Sequence, residues 1–138
     1  MEIIINENSR LCDIQKAFSH QFPFLKIGFF VFKPGQENVF RPEFLIADTT
    51  KKLGEITHSL RQGKISIHGH QKVRTLEQHF YDYFGVNIQV FRKSGNNWLQ
   101  TIVTDDWSLS DQNRMGEEWI ALETEEPIEN FDPLGEEQ

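Results

Sequence analysis

Three histidines stand where a predicted strand passes into a predicted helix, and imidazole is a common zinc ligand. His68 and His70 are two residues apart, so on a strand both side chains would point to one face and could reach one metal ion. His79 on the helix would be the third ligand. A turn over residues 69–72 would destroy the shared face, and Lys72 disfavours a bound cation. Polar positions at a strand end are the preferred interpretation, with a metal site as a weak alternative.

Two further groups have suitable chemistry but lack partners in the sequence. Cys12 is the single cysteine, which excludes a disulfide or an all-cysteine zinc site within the chain. A nucleophilic thiol would need a base and positive surroundings that the sequence does not supply. Asp105 and Asp106 could form an acid–base pair, but adjacent carboxylates before a helix more often accept its free N–H groups. We expect these aspartates to cap a helix.

Arg92 and Lys93 precede a Gly-containing turn and are candidates for binding an anion such as a phosphate. The segment lacks the spacing of a nucleotide-binding loop and leads into a strand rather than a helix. A polar hairpin turn is the simpler interpretation. We assign no catalytic residue and no cofactor, so the sequence favours a non-enzymatic protein and leaves an enzyme as an alternative.

The elements that would position these side chains lie in residues 64–104. Ile65 and Ile67 alternate with polar residues, as in a half-buried strand. Apolar residues at helical spacing follow over residues 73–84, and a glycine then ends the predicted helix. An alternating strand, turn residues at 94–97 and a returning strand complete the pattern. The module is therefore predicted to be strand, helix, strand and strand.

The first 32 residues repeat the first part of this pattern. Six apolar positions of residues 1–32 recur sixty-two positions later, which predicts duplicated strand–helix–strand units at 1–32 and 64–104, joined by residues 33–63. Two such units and a hairpin predict a two-layer α/β (α+β) sandwich with helices on one face of a ferredoxin-like mixed sheet. We expect one domain over residues 1–122.

Charge is distributed unevenly along the chain. The net charge is -7, from 21 acidic and 14 basic residues, and nine of the acidic ones lie in residues 116–138, which contain no Lys or Arg. The body is therefore slightly basic, with 12 acidic against 14 basic residues. We expect the helix after the hairpin to end at Gly116, a short strand at 119–122 and a disordered acidic tail over 123–138. No signal peptide or membrane-spanning run is visible, so a soluble, cytoplasmic protein is expected.

Two segments between Phe91 and Asn113, FRKSGNNWLQT and TDDWSLSDQN, stand out in the C-terminal half. Together they resemble a signature of a family of small uncharacterised bacterial proteins. The resemblance implies no activity, cofactor or partner.

One face of the predicted sheet carries the clearest functional signal. An even-numbered turn sets Lys93 opposite Trp98, which separates a packed face from an open face. The packed face would hold Val86, Ile88, Val90, Leu99, Thr101 and Val103. The open face would hold the candidate partner-binding residues Gln89, Phe91, Lys93, Trp98 and Gln100. Aromatic rings among amides and a cation are typical of a binding surface, although a loop or the C-terminal segment could equally cover it.

These features favour an interaction domain that binds a protein partner or a second copy of itself through the open face. Single-stranded nucleic acid is the alternative ligand, because sheet aromatics can stack on bases while Arg92 and Lys93 meet phosphates. An enzyme or metal-binding protein that uses His68 and His70 is the second alternative. No membrane partner is expected.

Overall fold

Short strands and helices alternate along the chain. The computed structural model describes residues 1–58 and 60–125, with side chains up to residue 118. The elements within these residues are β1 (Glu2–Ile5), α1 (Leu11–Gln21), β2 (Leu25–Phe30), α2 (Leu53–Ile56), β3 (Gly63–Ser66), α3 (Val73–His79), β4 (Asn87–Ser94), β5 (Asn97–Gln100) and α4 (Leu109–Glu125). A 3-10 turn at Pro42–Phe44 precedes α2, and a π-helical turn at Phe80–Phe84 extends α3.

The strands form two antiparallel sheets in the described part of the chain, β1–β3 and β2–β4–β5. The α/β sandwich is confirmed, but one mixed sheet is not what forms. In a split β-α-β arrangement both strands of a unit share a sheet. Here each unit gives its first strand to one sheet and its second strand to the other, so strands pair between units. The ferredoxin-like topology is therefore not confirmed.

The two halves of the chain use the same backbone hydrogen bonds at the start of their helices. In each half, the first two helix residues donate N–H groups to carbonyl oxygens in the loop before the next helix. The N-terminal donors are Leu11 and Cys12, to Lys51 and Thr49 at 3.0 and 2.8 Å; the C-terminal donors are Val73 and Arg74, to Trp107 and Asp105 at 3.0 and 2.9 Å. The correspondence thus extends beyond the strand–helix–strand units to α2 and α4.

The core lies between the helices and the inward faces of both sheets. Phe80, Phe84, Ile88 and Val90 are buried in it, as the sequence predicts. The outward face of β2 is covered as well, because the segment between β2 and α2 folds back over it. Phe30 meets the Phe40 ring of that segment edge-on, with ring centroids 5.1 Å apart. This cover explains why β2 is apolar on both faces.

The prediction that Leu99, Thr101 and Val103 lie on a packed face is only partly right. Thr101 is buried, but Leu99 is 43% exposed and Val103 is 95% exposed. The Thr101 N–H and side chain still bond to the Val90 carbonyl oxygen, at 3.3 and 2.9 Å. The strand nevertheless ends at Gln100, because the Val90 N–H that would continue the ladder bonds to Glu77 Oε2 at 2.9 Å. The alternation of a strand therefore does not extend to Val103.

Helix α4 does not end at Gly116, and no strand forms at 119–122, because the helix continues to Glu125. The helix crosses the ends of β2 and β4 at Gly116. A Cβ there would lie 2.9 Å from Phe24 Cβ and 3.3 Å from the Lys93 carbonyl oxygen. Glycine is therefore needed for close packing rather than for ending the helix. Of the expected tail, residues 123–125 are helical and 126–138 lie outside the described residues.

We predict that Gly116→Ala lowers the free energy of unfolding by roughly 1–2 kcal/mol, because overpacking against backbone and Cβ atoms outweighs the higher helix propensity of alanine. Urea unfolding measures the effect. Glu117→Ala, at the exposed neighbouring position, is the matched control and should be nearly neutral. A higher midpoint for Gly116→Ala would contradict the close contact.

Candidate functional site

The outward face of the β2–β4–β5 sheet brings together most of the candidate partner-binding residues that the sequence predicts. Phe91 lies opposite Gln100, and Lys93 lies opposite Trp98, in the register that the sequence predicts. On the other side of β4, Lys26 is opposite Phe91. Sequence reasoning did not select Lys26, because its neighbourhood depends on the pairing of β2 with β4.

Gln89 is not part of the exposed surface, since only 1% of it is accessible. It lies opposite Gly28, and the Phe91 ring and Leu45 close over this position. A Cβ on Gly28 would lie 2.7 Å from Phe91 and 2.9 Å from Leu45. The absent side chain therefore lets the loop approach the sheet closely, and this approach buries Gln89.

The covering loop divides the outward face into a closed part and an open part. Phe30, Phe40 and Phe91 pack together over the closed part. The Gln100 side-chain amide donates to the Phe40 carbonyl oxygen at 3.2 Å, at the border of this cover. The open part is a groove of about 570 Å³ between α1, β2 and the loop that precedes α2. This outer-face groove is lined by Cys12, Gln15, Lys16, Ser19, Lys26, Ile27, Gly28, Leu45, Ile46, Ala47, Thr49, Phe91 and Trp98.

Two lysines converge on one indole beside the outer-face groove. Lys26 Nζ lies 4.7 Å from the ring centroid of Trp98, and Lys93 Nζ lies 5.1 Å from it. Partial burial, and then the nearby Lys93 charge, lower the pKa of Lys26. Among the described residues, no carboxylate lies within 4.0 Å of either ammonium group. The pair is thus a concentration of positive charge without a counter-ion in this part of the chain.

A backbone donor faces the same groove. The Ile27 side chain is fully buried, so its backbone is what lines the groove. The Ile27 carbonyl oxygen accepts a hydrogen bond from Gln15 Nε2 at 2.8 Å. Because the N–H and C=O of one strand residue point to the same side, the Ile27 N–H points toward α1 as well. It has no acceptor within the described ranges.

Arg92 and Lys93 do not form one anion site, because consecutive strand residues point to opposite faces. Arg92 lies on the α4 side, where its Nη1 donates to Gln112 Oε1 at 2.9 Å. Gln112 is buried, and its amide nitrogen donates to the Thr104 carbonyl oxygen at 2.7 Å. Arg92 also lies 5.8 Å from the Trp107 ring centroid. These contacts give Arg92 a structural role between β4 and α4.

The histidines lie apart from the groove. The rings of His68 and His70 stack with centroids 5.4 Å apart, at an exposed turn. His79 packs instead against Tyr83 and Phe84. Over residues 1–58 and 60–125, no group of three His, Cys, Asp or Glu side chains could hold a metal ion.

The two aspartates do not cap α4. The cap is Ser108, whose hydroxyl oxygen accepts the Asp111 N–H at 3.0 Å. Asp106 forms an ion pair with Arg74 at 2.5 Å, and the Asp105 carbonyl oxygen accepts the Arg74 N–H. The loop is thereby bonded to the start of α3, and α4 begins only at Leu109, after Ser108.

Glu77 is a partly buried carboxylate that sequence reasoning missed. Its Oε2 accepts the Val90 N–H and the Gln89 side-chain amide, each at 2.9 Å. Burial raises its pKa to about 7, the Val90 hydrogen bond opposes this rise, and the Asp105 charge adds to it. Glu77 thus supplies a hydrogen-bond acceptor to the edge of β4 at a position where β5 has already ended. Its role is therefore structural, and no sequence signal marks it apart from helical neighbours.

Comparisons with protein-family models, with curated proteins and with solved structures find no match. None of the described helices has the length and apolar character needed to cross a membrane. Function is therefore argued from the outer-face groove itself.

We predict that Glu77 makes stability depend on pH. Between about pH 4.5 and pH 7 the folded protein holds a proton on Glu77 that the unfolded chain releases. The free energy of unfolding should therefore fall as pH rises through this range and level off above it, by roughly 3 kcal/mol at most.

The contribution of Glu77 is measured as the difference in free energy of unfolding between wild type and Glu77→Gln, from urea unfolding at pH 5 and pH 8. Glutamine keeps an acceptor for the Val90 N–H but does not titrate. Glu55→Gln on the surface of α2 is the control. Its free energy of unfolding should differ from that of wild type by nearly the same amount at both pH values. A wild-type minus Glu77→Gln difference that is the same at both pH values would contradict the prediction.

Proposed function

We propose that this protein is a non-enzymatic interaction domain whose outer-face groove binds an acidic segment of a protein partner. The observation that carries the proposal is the pair of lysines on Trp98. Both ammonium groups approach one ring, one of them has a lowered pKa, and no described carboxylate neutralises them.

A carboxylate in the groove would relieve this repulsion. Two unit charges 4 Å apart near a protein surface interact by about 4 kcal/mol before desolvation is counted. Lys16 lines the groove on the α1 side, opposite Lys26 on the sheet side. The Ile27 N–H, which has no acceptor among the described residues, is a neutral donor of the kind that carboxylate oxygens accept. Together these groups suit a ligand with more than one acidic side chain.

The apolar part of the lining favours a peptide over nucleic acid. Leu45, Ile46 and Ala47 form one wall, which suits an aliphatic or aromatic side chain of the ligand. A stacked base would need a free face of the Trp98 ring, and that ring already has two ammonium groups near it. We therefore favour an acidic peptide over nucleic acid as the ligand of these lysines.

We also infer that the two halves of the chain arose by internal duplication. The support is the sequence match at an offset of sixty-two residues together with the repeated hydrogen bonds at the helix starts. The groove breaks this symmetry, because its floor is formed by β2, β4 and β5 and its walls come from the N-terminal half.

The test is calorimetric titration with a synthetic 13-residue peptide of Glu and Ser with one central Phe, and with its Gln-for-Glu copy. We expect the acidic peptide to bind, the copy to bind at least tenfold more weakly, and binding to weaken with salt. Lys26→Gln with Lys93→Gln should reduce the affinity at least tenfold. Lys72→Gln, an exposed lysine away from the groove, is the control and should leave it unchanged.

Three outcomes would count against the proposal. Equal affinity of wild type and the double lysine variant would remove the groove as the site. Tighter binding of a 15-residue oligothymidylate than of the peptide would favour the nucleic-acid alternative. Dimerisation that both lysine substitutions abolish, without any peptide binding, would favour a second copy as the partner.

A further inference from the structure

We propose that the C-terminal segment of this chain, residues 126–138, binds in the outer-face groove in cis and competes there with the partner. This inference rests on the proposed function of the groove. It names the segment EPIENFDPLGEEQ as the first acidic ligand that the groove meets.

The composition of the segment matches the groove. It contains five acidic residues and no Lys or Arg. Its apolar residues, Ile128, Phe131 and Leu134, are spaced three apart between the acidic ones. The groove and the adjoining Lys93 offer the complementary set: the Lys26–Lys93 pair on Trp98, the Ile27 N–H without an acceptor in the described part of the chain, and an apolar wall.

The chain is long enough to make the contact. At Gly116, α4 passes close to the Lys93 backbone, whose carbonyl oxygen would lie 3.3 Å from a Cβ at this position. From there to its end at Glu125 the helix has nine more residues, which rise about 14 Å at 1.5 Å each. Thirteen extended residues span up to about 43 Å. The Lys93 side chain lies on the face of the sheet opposite α4. The span of the segment exceeds the rise of the helix, so the segment is long enough to return to the sheet and pass around its edge to Lys93.

The tether also sets the strength of the competition. A short linker gives the attached segment an effective concentration on the order of millimolar. An external acidic peptide of equal intrinsic affinity must exceed this local concentration to displace the segment. Charge attraction between the segment and the lysines is screened by salt, so the competition should fade at high ionic strength.

The test uses the full-length chain with the five acidic residues of the segment neutralised: Glu126→Gln, Glu129→Gln, Asp132→Asn, Glu136→Gln and Glu137→Gln. The acidic Glu/Ser/Phe peptide is titrated calorimetrically into this variant and into wild type at 20 mM and 500 mM NaCl. We expect at least tenfold tighter peptide binding by the variant at low salt and a smaller difference at high salt. Glu55→Gln with Glu117→Gln, two exposed carboxylates outside the segment, is the matched control and should bind like wild type.

A second readout follows Trp98 directly. In a Trp107→Phe, Trp119→Phe background, neutralising the segment should change Trp98 emission at low salt, and Phe131→Ser should change it in the same direction. Circular dichroism checks that the background folds, and the calorimetric test does not depend on it.

The outcomes separate the two proposals. Lysine-dependent peptide binding that is equally tight with and without the acidic segment would overturn this inference and leave the proposed function standing. Absence of peptide binding in both chains would overturn the two together. Tighter binding by the neutralised chain that persists unchanged at high salt would overturn the electrostatic contact proposed here.

Discussion

The close approach of the loop to the sheet at Gly28 is the contact on which the outward face depends. The Phe91 ring and Leu45 meet over this position, at distances that leave no room for a Cβ. On one side of this contact, the aromatic cover closes the face and buries Gln89. On the other side, the loop stands away from α1 and the outer-face groove opens. A single missing side chain therefore sets the border between closed and open surface.

The burial of Gln89 has a consequence on the opposite edge of β4. A buried amide needs hydrogen-bond partners, and Gln89 finds one in the Glu77 carboxylate, which also accepts the Val90 N–H. Glu77 thus replaces the strand that β5 would have supplied had it continued past Gln100. Burial of this carboxylate raises its pKa to about 7, so the edge of the sheet carries a titrating group near neutral pH. The Gln89 side chain therefore links the close packing at Gly28 to the carboxylate of Glu77 with its raised pKa.

The sequence predicted those features that depend on neighbouring residues. The module of β3, α3, β4 and β5 follows from periodicity and turn residues, and the pairing of Lys93 with Trp98 follows from turn length. The division of strands between two sheets depends on contacts between distant residues, so it could not be read locally. Gly116 was misread for a similar reason, since only packing against Phe24 explains a glycine inside α4. Lys26 was missed because the sequence did not show which strand pairs with β2. Gly28 could have been noticed, since a glycine within an apolar strand often marks a close approach of another segment.

The arrangement of Lys26 and Lys93 is also informative about function rather than stability. Their approach to one indole gains cation–π attraction of about 1 kcal/mol at an exposed site, but like charges repel and burial disfavours the charged form of Lys26, which is why its pKa is lowered. Methionine at both positions would contact the same ring without either cost. Retaining two ammonium groups therefore adds little to the folded state, whereas both would gain from an anionic ligand. This unfavourable placement of two ammonium groups is the physical basis of the binding role that we propose for the groove.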